Sequence, residues 1–300
     1  MKQKKVVVFG GAGFIGSYIV DELLRRNYKV VIADIREEKY KHDRATFVKC
    51  DIRNRDEIAA VITPDIDYVY NFAGFANLEQ AIQHPVTAIN LNIMGNLYIL
   101  DELRKKSNIE RYIYASSAYA LNDKGSFYGI SKLASEKLIE EFYKQYGLKY
   151  TILRYGSIYS ERNFDNNYVY SLIKEIIENH KVVHKGDGNE IREYIHAADV
   201  ARMAVNIIES EEYVNQFMIL TGVERMHRSE LFAMIKEVLG EDFEIEYKDK
   251  EYENHYKLTP YTFQPTMSRK MISDSYIDMG QGILECIKQI KSEQEDGYEE

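Results

Sequence analysis

Short runs of consecutive apolar residues alternate with longer amphipathic stretches through the first half of the chain. Residues 5–9 are apolar without polar interruption after Lys5, which predicts a strand covered on both faces. Comparable runs at 28–33, 47–50, 67–72 and 112–115 predict four more strands. Between them, apolar positions three and four residues apart predict helices over 14–26, 54–62 and 84–106, and a further helix carries residues 128–132 at its head. Strands alternating with helices are the pattern of a parallel sheet with crossover helices on both faces. Past residue 164 the pattern predicts helices over 168–179, 229–239 and 282–290 and a short strand over 217–220, with Ser229 expected to cap its helix and 197–209 to return to the sheet. Residues 251–264 are rich in tyrosine and charge without a period, and no element is assigned there. Asn90, Asn92 and Asn96 interrupt the apolar pattern of 84–106, and a buried asparagine requires a partner.

The first strand runs into Gly10-Gly11-Ala12-Gly13-Phe14-Ile15-Gly16. Strand, glycine turn and helix in that order make a phosphate-binding loop: Gly10 and Gly13 allow a tight turn and close approach of backbone to a pyrophosphate, and Gly16 lets the helix pack on the strand. Phe14 and Ile15 open the helix whose N-terminus stabilises the phosphate charge. Asp34 ends the second strand, 18 residues after Gly16. A carboxylate there accepts hydrogen bonds from the adenosine ribose and repels a 2′-phosphate, which favours NAD over NADP. Arg36, two residues on, is either a partner for a 2′-phosphate or a solvated loop cation. Asp51-Ile52 follows the third strand at the ligand-binding edge, with Asp51 a candidate for the adenine amino group or for helix capping. Ala73-Gly74 after the fourth strand permits the backbone to approach the cofactor. Ser116-Ser117 after the fifth reaches the same edge.

Composition narrows the function classes. The chain has 300 residues, 45% apolar and 29% charged, enough for one large or two ordinary domains. A net charge of −9 argues against nucleic acid or an anionic membrane as partner. No apolar run approaches the roughly 18 residues of a membrane span. Cys50 and Cys286 show no metal-ligand spacing, and two cysteines without a signal-type leader fit a reducing cytoplasm. Charge runs sit at the ends: residues 2–5 flank the first strand, and 293–300 read as a disordered acidic tail.

Tyr128 and Lys132 stand four residues apart, one turn along one helix face. An ammonium beside a phenol favours the phenolate, lowering a pKa ordinarily about 10 and making the tyrosine a usable acid and base.

Taken in order, these motifs resemble the extended short-chain dehydrogenase/reductase family, in particular its nucleotide-sugar epimerases and dehydratases. Gly10/Gly13/Gly16, Asp34, Asp51-Ile52, Ser117 and Tyr128/Lys132 match the family's glycine loop, acids, serine and Tyr-x-x-x-Lys. Asn92-Ile93-Met94-Gly95-Asn96-Leu97 resembles its Asn-x-x-Gly-Thr-Leu helix, Leu153-Arg154-Tyr155-Gly156-Ser157-Ile158-Tyr159-Ser160-Glu161-Arg162 its Leu-Arg-Tyr-x-Asn-Val-Tyr-Gly-Pro-Arg segment, and Arg192-Glu193-Tyr194-Ile195-His196 its Arg-Asp-Tyr-Ile-His block. The resemblance spans residues from about 5 to about 210, with a weaker echo to about 290.

The resemblance implies a Rossmann-type doubly wound parallel sheet (residues 1–163) and a smaller C-terminal α/β substrate-binding domain (164–300), with about 190–210 returning to the first. It implies an NAD-dependent epimerase acting on a nucleotide-diphosphate sugar by transient oxidation and re-reduction. Tyr128 would exchange the sugar hydroxyl's proton, Lys132 would lower its pKa and hold the nicotinamide ribose, and Ser117, preferred to Ser116, would bind the reacting oxygen. Asn92 would belong to the cofactor site. Arg162 and Arg192 would take the substrate diphosphate as guanidinium donors, and His196 would be structural. A homodimer through a four-helix bundle is also implied. Two alternatives stand beside the epimerase: an NAD(P)H-dependent 4-keto-sugar reductase and a non-catalytic nucleotide-binding regulator. Three departures bear on the substrate. Ser117 and Tyr128 are only 11 residues apart, which shortens the substrate loop. Ser157, Ser160 and Glu161 replace the Asn, Gly and Pro of the family's segment. Ala118-Tyr119 replaces the Asp-Glu pair of dehydratases, which disfavours water elimination.

Overall fold

The computed structural model describes residues 3–106, 108–121, 124–248, 257 and 268–296. Eight strands form one sheet, β1 (Lys5–Phe9), β2 (Lys29–Asp34), β3 (Thr46–Lys49), β4 (Tyr68–Asn71), β5 (Arg111–Ser117), β6 (Tyr150–Tyr155), β11 (Gln216–Leu220) and β14 (Arg269–Lys270), in the order β14-β11-β6-β5-β4-β1-β2-β3. Every pairing in it is parallel. The order reverses between β1 and β4, so the crevice beyond their carboxyl ends is the switch point where such sheets bind ligands.

The unbroken apolar runs are explained by burial on both faces. Val6, Val8, Ile32, Tyr70, Ile113 and Leu153 pack beneath α1 (Phe14–Arg25) and α8 (Ala197–Ile208). Val7, Phe9, Val31, Val69, Tyr112 and Ile152 face α2 (Arg55–Val61), α5 (Asn96–Leu103) and α6 (Ser126–Tyr146). A third apolar cluster joins α7 (Tyr168–Asn179), α9 (Arg228–Leu239) and α10 (Met279–Asp296) with the parallel pair β8 (Lys181–Lys185) and β13 (Glu244–Lys248). β10 (Tyr194–His196) pairs with β7 (Ser157–Tyr159), and β12 (Met226–His227) with β9 (Ile191–Arg192).

Several elements differ from the sequence expectation. The helix expected over 84–106 is α4 (Pro85–Ile89), a π-helical segment Asn90–Gly95 and α5, preceded by the short α3 (Leu78–Gln83). At the end of the π segment Gly95 packs directly on Ile52, where a Cβ would lie 2.6 Å from Ile52 Cδ1. α9 is capped by His227 and Glu230 in a reciprocal box, so Ser229 lies inside the helix and not at its cap. α10 runs through residue 296, and Glu293, expected in a disordered tail, accepts from Asn163 and Tyr170. The unassigned stretch 251–264 lies outside the described residues except for Lys257.

Candidate active site

The ends of β1 to β6 open into one cleft of about 790 Å3. Its floor is the glycine loop. Gly10 has φ +75°, and a Cβ there would lie 2.5 Å from Ala73 N; one on Gly16 would lie 2.1 Å from Gly10 O. Both positions therefore require glycine. Gly13 precedes α1 as its N-cap with extended backbone and no side-chain cap, so the first amide groups of the helix, from Phe14 and Ile15, remain for a phosphate. Asp34 is oriented by two backbone donors, Ala12 N and Arg36 N, each at 3.1 Å. Arg36 is exposed at the cleft rim.

Asp51 and Ile52 also line the cleft, but Asp51 is engaged by its neighbour: Arg53 donates to both carboxylate oxygens, holding the group below the usual carboxylate range. The capping alternative falls to Asn54, whose side chain accepts from Asp56 N and Glu57 N. Ala73 and Gly74 form the wall after β4. Asn92, expected in the cofactor site, stands behind that wall and does not line the cleft. Its Oδ1 accepts from Phe75 N at 2.7 Å and its Nδ2 donates to Phe75 O and to Ser131 Oγ, so it ties the π segment to the loop and to α6. Asn96 is likewise engaged, accepting from Tyr112 OH and Asn71.

At the other end of the cleft stand Ser117, Tyr128 and Lys132. Lys132 is buried, donates to Ala115 O at 2.8 Å, and holds its ammonium 4.9 Å from the Tyr114 ring centroid and 5.8 Å from that of Tyr128. Burial brings its pKa down to about 8, with Glu136 opposing the shift. Tyr119 meets Tyr128 edge to face, its ring 6.1 Å away. Of the two serines, Ser116 donates to Glu136, away from the reacting end, whereas Ser117 Oγ accepts only a 3.3 Å contact from Tyr119 N among its described bonds.

Neither of the two arginines expected at the substrate lines this cleft. Arg162 faces α1: it donates to Ser17 Oγ at 2.7 Å, pairs with Asp21 and lies between the rings of Tyr18 and Tyr40. Arg192 is buried on β9, donating to Ile191 O, and is not part of the cleft wall. His196 caps α8 through Nδ1 and contacts Glu161 through Nε2, a structural arrangement. Sequence reasoning missed Lys39 and residues 163–166, which line the cleft without a motif to mark them. It also missed Glu136 and Arg154. Glu136 lies one further turn beyond Lys132, a spacing that could have revealed it.

A switch-point crevice with a glycine loop at one end and a tyrosine beside a buried lysine at the other defines an enzyme that uses a bound dinucleotide to oxidise and reduce a hydroxyl carbon. The sequence profile of the NAD dependent epimerase/dehydratase family matches residues 6–219, and the chain belongs to that family. It is 33% identical over 258 residues, 78% of its own length and 82% of the relative's, to a putative UDP-glucose 4-epimerase of Methanocaldococcus jannaschii. Among solved structures it resembles a UDP-N-acetylglucosamine 4-epimerase of Methanobrevibacter ruminantium (26% identity, TM-score 0.82, covering 98% of this chain and 100% of that one). It also resembles a UDP-glucose 4-epimerase of Thermotoga maritima solved with UDP-glucose (25%, 0.81, 97% and 99%). The protein is an NAD-dependent enzyme of the nucleotide-sugar epimerase type. No helix among the described residues is long and apolar enough to cross a membrane.

Proposed function

We propose that the protein epimerises a UDP-hexose at C4, with Tyr128 as the proton-transfer group. The supporting observation is the placement of Tyr128 and buried Lys132 over the same cleft that the glycine loop enters. NAD bound in that cleft supplies the acceptor and donor of the hydride. Tyr128, as phenolate, takes the proton of the sugar hydroxyl as its carbon is oxidised, and returns it to the ketone oxygen when the sugar has presented its other face. Lys132 stabilises the phenolate electrostatically, and Ser117 hydrogen-bonds the reacting oxygen. The glycine loop and Asp34 hold the dinucleotide; Arg36 is a rim cation. Residues 1–163 chiefly carry the cofactor and 164–300 mainly the sugar nucleotide, with about 190–210 returning to the first domain. The UDP-sugar substrates named for the similar proteins, glucose and N-acetylglucosamine among them, set the candidates.

The test is to incubate the protein with each UDP-sugar and NAD and follow the C4 epimer by proton NMR. Tyr128→Phe should abolish turnover while leaving NAD affinity within about threefold; an active Tyr128→Phe variant refutes the assignment. Net consumption of NADPH by a 4-keto sugar would replace epimerisation with reduction.

The assembly we infer is a homodimer. Ile82, Val86, Phe127, Ile130 and Leu133 are exposed on α3, α4 and the first turns of α6, three neighbouring helices on one side of the sheet. A second copy of this chain covers such a face. Free buried cysteines, with Cys50 raised to about 12 by burial, fit a cytoplasmic enzyme.

A further inference from the structure

Two loops that line the cofactor cleft are fastened to each other across it. One follows β2 and carries Lys39 and Tyr40; the other follows β7 and carries Arg162, Asn163 and Phe164. Lys39 Nζ donates to Asn163 O at 2.8 Å, and Asn163 N donates to the Tyr40 hydroxyl oxygen at 2.9 Å. The Phe164 ring stands 5.8 Å from Phe14, the first residue of α1, and 5.5 Å from Tyr40. A chain of three rings therefore runs from the phosphate-binding helix end to the loop beyond Asp34. Arg162 locks the chain from behind, its guanidinium 3.9 Å from the centroid of Tyr18 and 4.8 Å from that of Tyr40 while pairing with Asp21. Asn163 is anchored further by donating to Glu293 Oε2 on α10 at 2.8 Å.

We propose that this bridge is a latch that keeps NAD in the site from one turnover to the next, an inference that rests on the epimerase reading above. The loop residues Lys39, Asn163 and Phe164 and the helix-end residue Phe14 all line the cleft, so the bridge joins the glycine-loop helix end to the loop beyond Asp34 over the part of the cleft where a dinucleotide would lie. Release of a dinucleotide requires two hydrogen bonds, two ring contacts and the cation sandwich to part together. Each is worth little alone, and several acting together make opening rare. Rare opening suits an enzyme whose cofactor is oxidised again in the same site. It is unsuited to a reductase, which must release oxidised cofactor at every turnover. Arg162, which does not line the cleft, and Glu161, which stands where the family has proline, thereby acquire a function. Glu161 accepts from Tyr18 OH at 2.7 Å and from His196, fixing one wall of the sandwich.

The test measures exchange of bound NAD for nicotinamide-deuterated NAD by native mass spectrometry, with uptake by the apoprotein measured in parallel. Wild type should hold NAD through many turnovers. Tyr40→Ala and Arg162→Met should raise dissociation and association together, each about tenfold or more, with Kd moving less than threefold. Lys39→Met, at an exposed position that leaves folding undisturbed, should raise both about threefold. Faster dissociation with unchanged association would make these ordinary contact residues and overturn the latch, as would wild-type exchange at the turnover rate. Epimerisation with freely exchanging NAD would refute the latch alone. Retained NAD without epimerisation of any sugar nucleotide would refute the functional reading alone.

Discussion

Glu136 and Arg154 form a buried ion pair beneath the proposed catalytic lysine, and breaking it should weaken the whole reacting end. Arg154 Nε donates to Glu136 Oε1 at 2.9 Å and Nη2 to Oε2 at 2.7 Å, while Ser116 Oγ donates to Oε1 at 2.6 Å. Glu136 is fully buried and Arg154 is 4% exposed. The pair ties α6, which carries Tyr128 and Lys132, to β5 and β6. Glu136→Gln keeps the shape and an acceptor but leaves the guanidinium without a counter-charge. Removing one partner of such a pair costs about 3–5 kcal/mol, whereas replacing both charges with apolar groups is often near neutral. Glu136→Gln should therefore cost about 3 kcal/mol. Glu136→Met with Arg154→Met should cost much less than the sum of the single changes, since a methionine side chain in place of the arginine can still pack on Phe217, whose ring lies 4.6 Å from the guanidinium. The assay is urea unfolding at pH 7 without NAD, so that ligand linkage does not mask the change. In a thermal scan the single variant should lose roughly 6–12 °C. A loss below about 1 kcal/mol, or singles that add to the double within about 0.5 kcal/mol, would show that the pair is uncoupled. The register of α6 would then be held by other contacts.

Lys132 is charged below about pH 8 and neutral above it, so kcat/KM should fall as pH rises through that value; a flat profile to pH 10 would remove the ammonium from the mechanism. Lys132→Met should lower turnover by about two to three orders of magnitude and erase that limb. Asp34→Ala should improve NADP binding about tenfold or more by removing the anion opposite the 2′-phosphate, measured by calorimetry; unchanged selectivity would locate it elsewhere. Ile130, 60% exposed on α6, should give a monomer in light scattering when changed to Glu, and a dimer that survives would place the interface on another face.

The parts of the fold legible in the sequence are those where one physical demand dominates. Val6, Val7 and Val8 are all fully buried because the strand is covered on both faces, and the glycine turn that follows so short a run marks it as a strand. The glycine loop is legible because Gly10 and Gly16 have no room for a Cβ. Where polar residues sit inside an element, the apolar signal fails. β5 begins at Arg111, its boundary hidden by a buried cation that donates to Ile207 O and Ser210 O. β6 contains Thr151 and Arg154, whose partners, Tyr213 O and Glu136, are distant in sequence. The π segment is invisible to periodicity, which reads 84–106 as one helix.

The same distinction separates proton transfer from phosphate binding. Tyr128 and Lys132 share one helix, so their relation is fixed by the 3.6-residue period and can be read from spacing. Arg162 follows a strand that other residues must position, and its partners Ser17, Asp21, Tyr18 and Tyr40 come from two separate segments. A motif match identifies it as a cation for the ligand, whereas its described partners lie on α1 and on the loop after β2. What the match does not convey is that two tyrosine rings and a carboxylate on the cofactor side satisfy the guanidinium more completely than an open cleft would. The same residue that a motif assigns to the substrate thus holds the cofactor loop, and the exchange rate of NAD, more than any substrate constant, is the quantity Arg162 should control.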